Sequence, residues 1–265
     1  MSKQPHLGFP APLLGVDPIR LPVLHDDGEM LILAKLPGIL LQQDAWYPRL
    51  PILIEAIRYQ AAQGKPELVK MGISPSGLWA VTDIDAECAG PVLLTRSREA
   101  AEELKNQFGS GAFSFTYEFI TQSTPSEDKL ECDLPLSRHG RLPRMLVSHT
   151  TGKITHTTFS MVDSVGSYTL CSAQTRFPRR HQVLLHALES GLPVLGDRIY
   201  AKSNPIMLSR IKRDYHFRRD QDERPLYDGP AYYLKELTIS ENLTISMPAP
   251  PRWQGLVKQL QKYSH

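Results

Sequence analysis

Short β-rich runs that follow one another with hardly a gap are what most constrain the fold of this chain. Leu21 to Val23 and Met30 to Lys35 flank the turn His25-Asp26-Asp27-Gly28. Thr155 to Val162 and Ser167 to Ala173 flank Asp163-Ser164-Val165-Gly166, and Tyr232 to Met247 alternates as strands again. Connections this short join antiparallel neighbours, because a parallel return needs a crossover of about a dozen residues or more. The aromatic segment FSFTYEFIT, Phe113 to Thr121, reads as a further strand. Helical periodicity appears at Pro51 to Gln63, Ser97 to Phe108, Arg180 to Ser190 and Arg252 to Tyr263, with Gly64 and Gly191 as stops. Residues 122–153, with Arg138, His139, Arg141 and Arg144, read as a long, exposed, basic excursion, and 201–230 show little periodicity. Strands outnumber helices, so the expected class is α+β: a mixed, largely antiparallel sheet with flanking helices. The 22 prolines agree, since they favour turns over a helical bundle.

The 265 residues can bury a substantial core. Residues 1–20, rich in Pro and Gly, read as an extended N-terminal arm, and 21–265 as a single catalytic-type domain that could divide into two subdomains around a cleft. The formal net charge is only +2, so affinity for a polyanion must come from local clustering. Cys88, Cys132 and Cys171 stand far apart with no zinc-like spacing. Scattered thiols fit a reducing compartment, the N-terminus lacks the apolar core of a signal peptide, and no apolar run approaches the ~20 residues of a membrane span. The expectation is a cytoplasmic chain with no metal and no membrane association.

Two stretches carry candidate chemistry. In LWAVTDIDAECAGPVLLTR, Leu78 to Arg96, the carboxylates Asp83, Asp85 and Glu87 alternate and share one face of an extended backbone. Apolar strand-like segments flank them, which places them on a loop at a sheet's edge or in a cleft; a solvated acidic turn has the same pattern. From Arg176 to Arg224, eleven Lys or Arg stand against six acids, with Tyr215, His216 and Phe217 interleaved. Guanidinium groups pair with phosphate and aromatic rings stack on bases, so the mixture suits a nucleic acid ligand, although a solvated face laced with ion pairs has the same composition.

In this order the motifs resemble the RluA-type RNA pseudouridine synthases. Arg179 to Tyr200, RRHQVLLHALESGLPVLGDRIY, is similar without a gap to that family's RTHQIRVHLAHxGHPVLGDxxY. Asp133 to His139 resembles its D-x-P-L/I-x-R segment, Thr155-His156 and Gly166 to Leu170 the hairpin that follows, and Val23 to Gly38 its opening strands. AVTDIDAECAGPVLLTR aligns with AVHRLDRETSGLLLLAK. The likeness runs from about Ile19 to nearly the end of the chain.

The resemblance implies a pseudouridine synthase-like fold with a central basic cleft and a cofactor-free isomerisation of uridine in ribosomal or transfer RNA. It implies that Asp85 is the catalytic carboxylate and that Tyr117 holds the flipped uracil. Arg138, Arg176, Arg179, Arg180 and His181 would meet the RNA. Structured RNA is the expected partner, with no dinucleotide, and the expected state is a monomer. The chain departs from the family at Thr82 and Ala86, which replace the His and second Arg of HRLDR, at Asp83, which replaces its first Arg, and at Leu184, where the family has the Arg that pairs with its catalytic Asp. Arg180, four residues before Leu184, would share its face on a continuous helix and could stand in. A catalytically inactive relative that binds RNA is the alternative reading. His181 and Gln182 are expected to bond nearby backbone, and Gly191, Pro193, Gly196 and Asp197 to shape a helix stop and a tight turn.

Overall fold

The structure is a computed structural model that describes residues 4–108, 111–212, 215 and 223–264. The chain divides into two compact units: Met1–Ser114 with Glu236–Met247, and Phe115–Lys235 with Pro248–His265.

The first unit contains strands β1 (His6–Phe9), β2 (Ile19–Asp26), β3 (Met30–Lys35), β4 (Trp79–Ala80) and β5 (Gly90–Thr95) in the order β1-β2-β3-β5-β4. Each pairing is antiparallel. The segment expected as an arm therefore contains a strand, β1, paired from His6↔Pro22 to Phe9↔Ile19. Every residue of β5 is buried, as are Leu31 to Lys35 of β3, which makes these two strands the unit's core. Helix α1 (Leu53–Ala62) buries Leu53, Ile54, Ala56, Ile57 and Ala61, an apolar stripe at helical spacing. Helix α2 (Pro66–Lys70), which the periodicity did not reveal, follows it. Helix α3 (Arg98–Gln107) packs on β5, its start fixed by the Ser97 hydroxyl accepting from the Ala100 N–H at 3.0 Å.

The second unit is built on β6 (Ser114–Thr121), β7 (Lys129–Cys132), β10 (Thr157–Val165) and β11 (Tyr168–Thr175), with β6-β11-β10-β7 as neighbours, all antiparallel. Between β7 and β10 lies a small pair, β8 (Leu136–Arg138) and β9 (Met145–Val147). The stretch 122–153 is thus not one exposed excursion but holds three strands, with Cys132, Leu136 and Met145 buried; its polar sequence hides apolar anchors spaced too widely for a period-2 pattern. The β10–β11 turn also falls later than expected, at Gly166-Ser167, because β10 runs on to Val165.

Helix α4 (Gln182–Glu189) packs on β10 and β9; it begins at Gln182, not Arg180. A short helix, α5 (Leu208–Ile211), lies within 201–230 and contacts α6 (Pro251–Tyr263). Of the basic–aromatic run, Arg213, His216, Phe217, Arg218 and Arg219 lie outside the described residues. Strand β12 (Tyr232–Ser240) belongs in part to each unit. Its first half is tied to β6 where Glu118 accepts from Tyr233 Oη at 2.7 Å and Lys235 Nζ at 2.6 Å. Its second half pairs with β13 (Leu243–Ser246), from Glu236↔Ser246 to Ser240↔Leu243. The α+β class with antiparallel sheets and few helices is as expected.

Candidate active site

The acidic stretch leaves the edge strand β4 as a loop and rejoins the sheet at β5. Val81 and Thr82 hold its entrance: the Val81 N–H donates to Leu93 O at 2.9 Å, and the Thr82 hydroxyl accepts from the Leu93 N–H at 2.9 Å. The backbone then alternates as its sequence predicts. Thr82, Ile84, Ala86 and Cys88 are buried, whereas Asp83 is exposed and Asp85 and Glu87 are half-buried. Apolar packing of one side therefore presents the three carboxylates on the other.

The loop is fastened from below by Lys35, at the end of β3 and fully buried. Its ammonium donates to Ile39 O at 2.8 Å, Asp85 O at 3.1 Å and Leu36 O at 3.3 Å. The Cys88 N–H donates to the same Asp85 carbonyl at 3.0 Å, and Gly38 N–H to Ala86 O at 2.8 Å. The backbone of Asp85 is thus fixed from two directions while its side chain stays at the loop's polar face. Glu87 accepts a hydrogen bond from Tyr47 Oη at 2.6 Å. Desolvation pushes the Lys35 ammonium below its ordinary pKa, opposed by the nearby Cys88, Asp83, Asp85 and Glu87. Lys35 places cationic charge beneath the acids, and the sequence reading did not single it out.

The other candidates lie in the second unit. Tyr117, in the middle of β6, is 4% exposed and stacks with Tyr232, ring centroids 6.4 Å apart and planes 21° apart. Arg138 ends β8 and is exposed. Arg176, Arg179, Arg180 and His181 share the connection from β11 to α4. Arg176 is exposed, and the Arg179 guanidinium lies 5.3 Å from the centroid of the exposed Phe177 ring. His181 is fully buried in the left-handed region, at φ 50° and ψ 18°. That turn puts Arg180 outside the helix, so Arg180 and Leu184 do not share a face of one continuous helix. Leu184 itself is fully buried among the apolar residues of α4.

One residue that the sequence reading left among motif letters, Tyr200, joins these pieces. Its hydroxyl accepts from the Met145 N–H at 2.8 Å and lies 2.9 Å from His181 Nδ1. Met145 is the register partner of Arg138, so the hydroxyl ties the Arg138 strand pair to the arginine-bearing connection. Tyr200 is held in turn by Asp197, fully buried, whose carboxylate accepts from the N–H groups of Ile199 (2.8 Å), Tyr200 (3.2 Å) and Ala201 (3.3 Å). Burial raises the Asp197 pKa against those bonds. Gly196, at φ +76°, precedes it where a Cβ would meet Gly229 O, so both conformation and space demand glycine. The structural reading of Gly196 and Asp197 holds.

Gln182 bonds the backbone as expected, its Oε1 accepting from the Arg179 N–H at 2.8 Å and its Nε2 donating to His156 O at 3.0 Å, but it reaches side chains too. Its Nε2 lies 2.8 Å from Thr157 Oγ1 and 3.1 Å from Thr175 Oγ1. Thr157 Oγ1 is 3.0 Å from His186 Nδ1, and His186 Nε2 is 3.0 Å from Leu134 O. A carbonyl only accepts, so Nε2 carries the proton and Thr157 donates to Nδ1.

The sequence model of a family described as RNA pseudouridylate synthase matches residues 30–189, more than half of the chain. The chain belongs to the RNA pseudouridylate synthase family. The match takes in the Asp85 loop, Tyr117 and the connection into α4. An uncharacterized RNA pseudouridine synthase of Chlorobaculum parvum is 22% identical over 265 residues, 97% of this chain and 80% of the relative. The dual-specificity RNA pseudouridine synthase RluA of Salmonella typhimurium is 29% identical over 132 residues, 49% of this chain and 60% of that one. The RluA-type membership expected from the motifs stands on these matches. Among solved structures, human RNA pseudouridylate synthase domain containing 4 matches with a TM-score of 0.64 at 16% identity, over 90% of this chain and 92% of that one. That likeness shows a pseudouridylate synthase fold.

Proposed function

We propose that this family member isomerises uridine to pseudouridine in ribosomal or transfer RNA, with Asp85 as the catalytic carboxylate. The observation that carries the reading is the Asp85 loop: a backbone clamped by Lys35 and Cys88, with the side chain at a polar face. In the reaction the bond from N1 to C1′ breaks, the uracil turns, and C5 joins C1′; C5 loses a proton and N1 gains one. An ionised carboxylate can attack C1′ or remove a ribose proton, and either step needs a fixed anion. Tyr117 is the aromatic ring proposed to hold the uracil. Extruding the base costs a few kcal/mol of unstacking, which phosphate contacts from Arg138, Arg176, Arg179 and Arg180 would offset.

The buried Leu184 favours a second reading. Helix α4 offers an apolar side chain where the family's Arg pairs with Asp, which suits an RNA-binding relative without turnover. Pseudouridine mapping of ribosomal and transfer RNA with and without the gene separates the two. The first reading expects a missing site that wild type restores and Asp85→Asn does not, with turnover of the purified variant lower by roughly 10²–10⁴-fold or more. No missing site in any ribosomal or transfer RNA sinks the first reading.

A further inference from the structure

The second unit contains a cavity of about 830 Å³ that none of the site residues above lines. It is a half-open groove bordered by α5, Lys212, Tyr215, the end of α6, and the β10–β11 turn. Its described lining includes Arg210, Lys212, Lys262, Tyr168, Tyr215 and Tyr263, with serine hydroxyls between them and no acidic residue. Three cations in one cavity repel each other unless an anion joins them.

Their arrangement is specific. Lys212 Nζ lies 5.3 Å from the Tyr263 ring centroid and 5.6 Å from that of Tyr215, and Lys262 Nζ lies 5.0 Å from Tyr263. Two ammonium groups thus converge on one phenol. Cation–π attraction of this kind orients a lysine without neutralising it. Among the described residues, Glu223 is tied to this wall by the Ser209 N–H and hydroxyl, which donate to it at 2.8 and 2.6 Å; its carboxylate also faces the charge of Arg210, so it offsets Arg210 in part. The floor is fixed by the Ser167 N–H donating to Ser264 O at 2.9 Å, and at Gly166 a Cβ would strike Ser264. A fixed floor and converging ammonium groups describe a receptor for phosphate oxygens, not for an apolar ligand.

We propose that this cavity binds the phosphodiester backbone of a single-stranded RNA segment other than the reacting nucleotide. Lys212 and Lys262 bridge successive phosphates from either side of Tyr263, and Arg210 meets the strand at the rim. The contacts go to backbone alone, so the cavity adds affinity and register without reading sequence. The inference rests on RNA being the substrate, but its test does not require turnover.

The test measures anisotropy of a labelled single-stranded RNA with the full chain across a range of salt concentrations. Replacing both lysines (Lys212→Gln with Lys262→Gln) should weaken binding and make the slope of log affinity against log salt shallower by about 1.4, two phosphates' worth. Lys212→Arg with Lys262→Arg should keep the wild-type slope, which separates charge from folding. On a modified substrate the Gln pair should raise KM and leave kcat unchanged. A Gln pair with the wild-type affinity and slope overturns the proposal, even if pseudouridine is made. Saturable binding of inorganic phosphate alone, lost in the Gln pair while RNA affinity stays unchanged, overturns it in favour of a small anion. Loss of affinity in the Gln pair of a chain that makes no pseudouridine upholds the cavity and removes the proposed reaction.

Discussion

Lys35 shows how a single buried residue can fix the backbone of a candidate site. Its ammonium is fully buried, and its clear bonds go to backbone carbonyls at Ile39 and Asp85. Lys35→Met keeps the volume and deletes the donor. The Ile39 carbonyl then loses its charged partner, at a cost of about 1–3 kcal/mol, whereas Asp85 O retains the Cys88 N–H. Urea unfolding of both proteins reads this difference. Its pH dependence has a definite sign. Burial lowers the lysine's pKa in the fold below the ordinary 10.5, so between those two values the unfolded chain binds more protons. Wild-type stability measured relative to Lys35→Met should therefore rise with pH across that window; a falling difference would contradict the burial argument. The position of Asp85 was legible because the alternation of apolar and acidic residues survives in an irregular loop. Lys35 was not, because a lysine ending a strand has the sequence pattern of a solvated one, and only the fold shows that three carbonyls close around it.

At the scale of elements, α4 is held by polar contacts inside an apolar interface. Gln182, Thr157 and His186 form a connected run that joins α4 to β10 and to the Leu134 carbonyl. Burial lowers the His186 pKa below 6.5, with His156 pushing the same way and Leu134 and Asp133 opposing. The unfolded chain binds a proton below that value before the folded one does, so stability is lost as pH falls from about 6.5, by up to ~1.4 kcal/mol per pH unit. His186→Gln, which can still donate to Leu134, should flatten this loss in denaturant titrations at about pH 7.5 and 5.5; equal losses would clear His186 of the effect. Strands β3, β5, β6, β10 and β11 were readable from alternation or apolar runs, and α1, α3 and α6 from period and punctuation. Strands β7, β8 and β9 were not, because each is at most four residues long and stabilised by tertiary pairing. The left-handed turn at His181, which removes Arg180 from α4, leaves no local signature either, since neither glycine nor asparagine marks it.

At the scale of the whole molecule, chain order and compact units do not coincide. Unit one takes Met1–Ser114 and then Glu236–Met247, so the chain passes between units after Ser114, Lys235 and Met247. The late segment carries β13, which packs on β2 in the same unit. A polypeptide ending at Ser114 should therefore show poor amide protection in β2, and a peptide spanning Glu236 to Met247 added in trans should restore it. Full protection without the peptide would show that unit one is complete without its returning strand. The divided unit also has a consequence for synthesis. A ribosome that has finished Ser114 must read through to Met247 before the first unit can close, about 7–27 s at ~5–20 residues per second. During that interval the nascent chain carries β2 without its late neighbour β13.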